Sequence, residues 1–195
     1  MERNTNKNLI QQAKSCDICA EFLPHGTRPV FVVHPTAKIN IIGQAPGRRV
    51  HESGIPWNDQ SGKRLRQWMG IDDETFYNPE KVAIMPMGFC YPGTGKSGDL
   101  PPRKECAPQW HQPLLNMMPD IQLTLLIGAY AQKEYLKKDM KKNLTETVMH
   151  WEEYLPNYLV LPHPSPRNQY WLKKNPWFES GVLPFLQGKI AEALK

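Results

Sequence analysis

Residues 38–47 read Lys-Ile-Asn-Ile-Ile-Gly-Gln-Ala-Pro-Gly, a short β-prone apolar run that stops at a turn rich in glycine and proline. Three further apolar runs, at residues 82–87, 122–127 and 158–161, also end at or close to Gly or Pro. Short, continuous apolar runs between such breakers are typical of strands that are buried on both faces of a sheet. The sequence therefore predicts about four strands, each followed by a loop.

Helical patterns lie between these runs. In the first of them, Leu65, Trp68 and Met69 fall on one face of a helix. Alternation of strands and helices predicts a mostly parallel sheet with helices on both sides, a three-layer α/β sandwich. We expect residues 1–195 to form one such domain, in which residues 1–35 are an N-terminal extension packed on the sheet. The predicted helices cover residues 62–69, 103–117, 129–138 and 183–194.

Composition limits the classes of protein that this chain can belong to. Its 195 residues suit one globular domain, with 40% hydrophobic and 22% charged residues. No apolar run approaches the roughly 20 residues of a membrane helix, and the polar N-terminus lacks the apolar core of a secretory signal. We therefore expect a cytoplasmic monomer with no membrane partner. The net charge of +5 is compatible with a polyanion such as DNA, and also with an ordinary basic protein.

Loops with distinctive chemistry follow the first, second and fourth predicted strands. In an open parallel sheet, ligands bind at the carboxyl ends of the strands. These loops should therefore meet at one rim of the sheet, and that rim is the predicted functional site.

Three segments on this rim carry a family resemblance. The turn at residues 43–47 and the His-Pro-Ser-Pro loop at 163–166 resemble the two signature loops of the uracil-DNA glycosylase superfamily. Gly-Ile-Pro-Trp at 54–57, followed by Ser-Gly at 61–62, resembles its segment with an aromatic that stacks on the flipped base. Each motif alone is weak, but the three in this order are specific. The resemblance implies a uracil-DNA glycosylase-like fold and a monofunctional DNA glycosylase for uracil or a related deaminated base in base excision repair.

The chemistry of base excision suggests roles for these residues. Cleavage of an N-glycosidic bond in DNA creates a cationic sugar and an anionic base, which must be held outside the stack. His163 can donate a hydrogen bond to the base as charge develops, and Trp57 offers a flat face for stacking. The backbone of the first turn can approach the base closely, which makes Gly43, Ala45, Pro46 and Gly47 the remaining base-binding candidates.

A basic segment follows the first turn. Residues 48–51 read Arg-Arg-Val-His and resemble an Arg-Arg-Ile-His stretch of a branch that captures uracil-DNA covalently, although that stretch lies in a different loop. We interpret the segment here as a basic loop that contacts phosphates. The loop after the last strand can hold the DNA backbone or fill the gap left by the base. The predicted DNA-binding residues are Arg48, Arg49, His51, Ser165, Arg167 and Asn168.

The chain departs from the family pattern in two places. The iron–sulfur branch has glutamate where this chain has Gln44, and the best-known branch has aspartate where it has Ala45. Glu52 is the predicted replacement, with Asp59 a weaker candidate, and Gln44 remains a catalytic candidate. Relatives also often have a base-reading asparagine at the position of Pro86, which has no donor. The substrate could therefore be uracil or another deaminated base, in single or double strands.

The four cysteines favour a metal site. Cys16 and Cys19 form a short pair, whereas Cys90 and Cys106 have fifteen residues between them. A reducing compartment argues against disulfides, and the spacing differs from that of a simple zinc ribbon. The pattern is similar to the superfamily's family-four branch, which implies a [4Fe–4S] cluster on these four residues. Zinc in the same thiolates and unligated buried cysteines are the alternatives.

Other functions use the same residues differently. The missing carboxylate favours a DNA-binding member of the superfamily that recognises damage without excision. Covalent capture of DNA is a further alternative, which only the segment at residues 48–51 suggests. His163 and Trp57 favour the enzyme. A redox-sensing cluster protein has only the cysteines in its support.

Overall fold

The predicted α/β architecture is present in the computed structural model, which describes residues 2–96 and 98–195. Over these residues, the strands β1, β2, β5 and β6 form a fully parallel sheet in the order β2–β1–β5–β6, and β3 and β4 form an antiparallel hairpin. The strands are β1 (Ile39–Ile42), β2 (Val82–Ile84), β3 (Thr94–Gly95), β4 (Gly98–Asp99), β5 (Leu123–Ile127) and β6 (Leu159–Leu161).

Helices cover both faces of the sheet. They are α1 (Glu2–Lys14), α2 (Arg48–Ser53), α3 (Gln60–Met69), α4 (Asp73–Tyr77), α5 (Cys106–Asn116), α6 (Ala129–Leu136), α7 (Leu144–Met149), α8 (Gln169–Lys174) and α9 (Leu183–Ala193). A π-helical turn at Phe178–Val182 leads into α9, and short 3-10 turns occupy Ala20–Phe22, Lys137–Asp139, Trp151–Tyr154 and Pro166–Asn168.

Two apolar cores lie on opposite faces of the sheet because successive strand side chains alternate. Ile41 and Leu125 pack on one face with Leu65 of α3 and Leu186 of α9. The other core holds the neighbouring strand residues together with parts of α1, α5 and α6, among them Ile42, Leu126, Val160, Ala13, Leu114 and Ala131. The strands are thus buried on both sides, which explains their continuous apolar sequence.

The N-terminal segment packs on the edge of the sheet beside β2. Val32 forms an antiparallel bridge with Ile84, with backbone hydrogen bonds of 2.7 and 2.9 Å in the two directions. Phe31 is buried in the core that contains Ala13 of α1. This contact pairs the outer edge of β2, which would otherwise present unsatisfied backbone groups.

The second strand is shorter than the predicted run at 82–87 and ends at Ile84. Pro86 has no N–H to donate. The residues on either side of it still form hydrogen bonds to β1 and the turn that follows it: Met85 N donates to Ile41 O and Met87 N to Gly43 O, both at 2.9 Å. The prediction of a basic loop at 48–51 was wrong, because these residues begin helix α2.

The predicted helices match α3, α5, α6 and α9 to within a few residues at their ends. Helix α3 begins where Asp59 accepts a hydrogen bond from Gly62 N at 2.8 Å, and it ends at Gly70 in the left-handed conformation. No helix in the described part of the chain combines the length and the apolar character needed to cross a bilayer.

Candidate active site

A pocket of about 630 Å³ opens at the carboxyl ends of β1, β2 and β6. Its walls come from the three loops that the sequence placed on one rim, together with the segment that precedes α3 and the β3–β4 hairpin. The register of the parallel sheet explains this convergence, because Ile41 pairs with both Ile84 and Leu125 and so aligns the ends of the strands.

Trp57 forms one wall of the pocket. Its backbone has a φ of 56°, a left-handed conformation that is uncommon for a large side chain. The indole lies against Gly43, where a Cβ atom would stand only 2.9 Å from Cζ2 of the ring. Arg66 Nη1 donates to Trp57 O at 3.4 Å from within α3. The strained backbone and the close approach together fix the ring beside the first turn.

His163 forms the adjoining wall. Its ring centroid lies 5.6 Å from that of Trp57, with the ring planes at 32°. Burial lowers the pKa of His163 below its usual value, while the nearby Asp59 acts in the opposite direction. The imidazole is therefore neutral at pH 7 and presents one N–H donor. The two rings are too close for a base to stack between them. A base in the pocket must therefore stack on the exposed face of Trp57.

The loop after β6 is held from two sides. Asn168 Nδ2 donates to His163 O at 2.7 Å, and Ser165 Oγ accepts from Arg167 N at 3.2 Å. Arg64 of α3 donates to Ser165 O at 3.1 Å. These bonds position His163, Ser165, Arg167 and Asn168 at the pocket, although the side-chain amide of Asn168 is already used within the loop.

The wall at Pro86 is supported by a buried histidine. His111 Nε2 donates to Pro86 O at 3.0 Å, and His111 Nδ1 accepts from Tyr135 Oη at 2.6 Å. Burial lowers the pKa of His111 to about 4, so the ring is neutral and this donor–acceptor pattern is consistent. Pro86 lines the pocket at the position where the family resemblance implies a base-reading asparagine.

Four of the predicted catalytic and DNA-binding residues lie outside the lining of this pocket. Arg48, Arg49 and Glu52 are exposed on α2. The ring of His51 packs instead against Tyr91 and His25, with centroid distances of 5.8 and 6.2 Å. The ring of His51 is therefore not part of the pocket lining.

Gln44 lines the pocket, but its amide also ties two loops together. Gln44 Nε2 donates to Leu100 O at 3.3 Å, just after the β3–β4 hairpin. Gly88 N donates to Gln44 O at 3.0 Å from the loop after β2. The side chain therefore links the first turn to the hairpin.

Sequence reasoning missed the carboxylate of Asp99, and it rated Asp59 below Glu52. Both aspartates line the pocket. Asp59 follows the Trp57 motif closely, so its spacing could have indicated it. Asp99 lies in a hairpin of two-residue strands with no apolar pattern, and no signal in the sequence marks it.

The four cysteines line a second pocket, together with Leu23, Phe89, Arg103, Glu105 and Trp110. None of them forms a disulfide. Trp110 Nε1 donates to Cys16 Sγ and Phe89 N to Cys106 Sγ, each at 3.3 Å, and Cys19 Sγ donates to Glu105 Oε2 at 3.7 Å. Without a metal, burial raises the pKa of Cys90 to about 11 and that of Cys106 to about 12.

The four thiols come from separate parts of the chain and line one pocket. Among residues 2–96 and 98–195, no group of three or more His, Cys, Asp or Glu side chains is arranged to hold a metal ion. A four-iron cluster uses four thiolates around a larger body, and hydrogen bonds from N–H groups to the sulfurs are part of such sites. The shared pocket and its two N–H donors fit that group.

One family model matches the chain, and it is described as the uracil DNA glycosylase superfamily. The match covers residues 30–187, which include β1 to β6 and every residue that lines the large pocket. It leaves out residues 1–29, where Cys16 and Cys19 lie.

Proposed function

The chain belongs to the uracil DNA glycosylase superfamily, and from this premise we propose that it is a monofunctional DNA glycosylase that hydrolyses the N-glycosidic bond of a deaminated base. One observation carries the proposal: the ring centroids of His163 and Trp57 lie 5.6 Å apart on adjoining walls of one pocket, beside the first turn. An aromatic face and a neutral N–H donor are the groups that excision of a flipped base requires.

The flipped base is held before it is cleaved. Stacking on the exposed face of Trp57 contributes roughly 1–3 kcal/mol. The indole packs against Gly43, where a Cβ atom would stand 2.9 Å from Cζ2, and this contact places the ring beside the first turn. Neither ring has to reorganise, so the pocket is prepared for the base in advance.

The base leaves with the electron pair of the broken bond. The neutral imidazole of His163 donates its N–H toward the oxygen on which negative charge accumulates. Asn168 holds the backbone carbonyl of His163, which restrains the loop that carries the ring. The donor thus acts mainly in the transition state and contributes little to binding the intact base.

We propose further that Cys16, Cys19, Cys90 and Cys106 hold a [4Fe–4S] cluster, which when bound supplies a covalent link across the fold. These residues come from the N-terminal segment, the loop after β2 and the start of α5. The cluster would therefore tie the N-terminal segment to the loop that begins with Pro86 at the pocket.

An excision assay tests the proposal. Oligonucleotides carrying uracil, hypoxanthine or xanthine, in single- and double-stranded form, are incubated with the purified chain and with His163→Ala. We expect release of at least one of these bases, with alkali-labile abasic sites left uncleaved and with little release by the variant. Equal release by both proteins would contradict the role of His163 as the donor to the leaving base. No release of any base by the parent chain would overturn the proposed function and favour a DNA-binding member without excision activity.

A further inference from the structure

Hydrolysis of a glycosidic bond needs a group that positions the attacking water and accepts its proton. In glycoside hydrolysis this group is a carboxylate on the opposite side of the sugar from the leaving group. The first turn of this chain offers none, because residues 44 and 45 are Gln and Ala. The amide of Gln44 is moreover bonded to Leu100 O. The carboxylate therefore has to come from another part of the pocket.

The β3–β4 hairpin brings Asp99 to the first turn. Oδ2 of Asp99 lies 3.3 Å from the point where a Cβ on Gly47 would stand. The bond from Gln44 to Leu100 O holds the next residue of the chain, so the hairpin is fastened to the turn beside this carboxylate. Nη1 of Arg167 lies 2.8 Å from a Cβ position on the neighbouring Gly98, so this guanidinium also lies beside the hairpin.

The other aspartate of the pocket has a competing task. Asp59 Oδ1 accepts a hydrogen bond from Gly62 N at 2.8 Å and so caps α3. It also lies near enough to His163 to raise that residue's pKa. Asp59 is thus committed to capping α3, whereas Asp99 lies beside Gly47, at the opposite end of the first turn from the Gly43 that contacts Trp57.

The surroundings of Asp99 suit a base. Partial burial raises the pKa of Asp99, while Arg167 and Arg48 lower it and Asp59 raises it. The net shift is upward, toward the range in which a carboxylate accepts a proton from water more readily. The two arginines oppose the effect of burial and favour the ionised form of the carboxylate.

We propose that Asp99 is the catalytic carboxylate of this chain and holds the water that attacks the sugar. The water oxygen forms a bond to C1′, the bond from C1′ to the base nitrogen breaks, and its electron pair leaves with the base. The proton of the water passes to the Asp99 carboxylate. This inference rests on the proposed glycosylase activity and adds to it the source of the carboxylate.

Single-turnover excision by the parent chain, Asp99→Asn and Asp72→Asn tests the inference. Asp72 caps α4 and does not line the pocket. Asparagine also caps helices, so Asp72→Asn removes the same charge as Asp99→Asn while keeping the cap and leaving the pocket unchanged. We expect Asp99→Asn to lower the rate by roughly 10²–10⁴, the usual contribution of a general base. DNA affinity should not fall, and Asp72→Asn should keep the parent rate.

A second measurement separates chemistry from a structural defect. We expect sodium formate, but not sodium chloride at equal ionic strength, to restore part of the rate to Asp99→Ala, because formate can supply the missing carboxylate. Full activity of Asp99→Asn, or a defect in Asp99→Ala that formate leaves unchanged, would overturn the role of Asp99 while the glycosylase proposal stands. A parent chain that excises no base would overturn both.

Discussion

The indole of Trp57 lies so close to the backbone of Gly43 that a Cβ atom there would stand 2.9 Å from Cζ2. Gly43 and the indole of Trp57 therefore form a single packed unit, although thirteen residues lie between them in the sequence. A methyl group at residue 43 cannot be added without moving the ring.

This contact predicts the effect of Gly43→Ala. The added methyl group should displace the indole and reduce excision, with a loss of stability of roughly 1–3 kcal/mol from overpacking. Gly188→Ala is the control, because nothing lies within 4 Å of a Cβ at that position in α9. Thermal melting and single-turnover rates measure the two effects. Parent-like excision by Gly43→Ala would show that the position of Trp57 is not critical.

His163 and Trp57 should differ in what their loss affects. Removal of one preorganised donor costs roughly 10²–10³ in rate, so His163→Ala should lose rate while DNA affinity changes little. Trp57→Ala should lose roughly 1–3 kcal/mol from binding and from the rate alike, because stacking acts on the flipped base throughout. Affinity for DNA with the damaged base, measured beside the rate, distinguishes the two. Equal losses of affinity in both variants would contradict a role of His163 confined to the transition state.

The exposed arginines of α2 lie next to the pocket without lining it, and they should contact DNA phosphates. Reversal of charge at Arg48 and Arg49 should weaken binding to any sequence and flatten the salt dependence, because fewer counterions are released. Reversal of charge at Lys137 and Lys138 is the control. These two lysines are also exposed, but they lie in the turn after α6 and do not follow any of the segments that line the pocket. Titrations at several salt concentrations provide the slopes. Equal slopes for both double variants would place the DNA elsewhere.

Anaerobically purified protein should be brown and contain about four irons per chain. Any Cys→Ala change among the four ligands should lower the iron content and the soluble yield. Trp110→Phe removes the N–H that donates to Cys16 Sγ, and it should make the cluster more easily lost in air while the iron is still incorporated. Iron analysis and absorbance near 400 nm check these outcomes. Colourless protein with stoichiometric zinc would replace the iron assignment.

Buried His111 should make the protein sensitive to acid. The pKa of this residue is about 4 in the folded chain and about 6.5 when unfolded, so the unfolded chain binds the proton first. Stability is therefore lost as the pH falls from about 6.5 toward 4, by about 2 kcal/mol at pH 5. Denaturant unfolding of His111→Gln should show lower stability at pH 7 but a smaller loss between pH 7 and pH 5. An identical loss in both proteins would assign the acid sensitivity to other groups.

The sequence by itself determined the sheet and the rim. Apolar runs between breakers mark β1, β2, β5 and β6, because a strand buried on both faces needs continuous apolar residues and a sharp stop. The order of the three motifs placed the first turn, Trp57 and His163 together, since parallel strands end at one edge of the sheet. The strands could be predicted because the strand preference of each run is local. The rim could be predicted because few topologies connect alternating strands and helices.

Tertiary structure decided what the residue order could not. The ring of His51 turns to Tyr91 and away from the pocket, because α2 is a helix and its faces point in different directions. Glu52 is nearer to the first turn in the sequence than Asp99 is, yet Asp99 is the one that lines the pocket. A hairpin of two-residue strands has no periodicity to reveal it. Its place is set by contacts from Gln44 and Arg167, which lie far from it in the chain and meet it only when the sheet has formed.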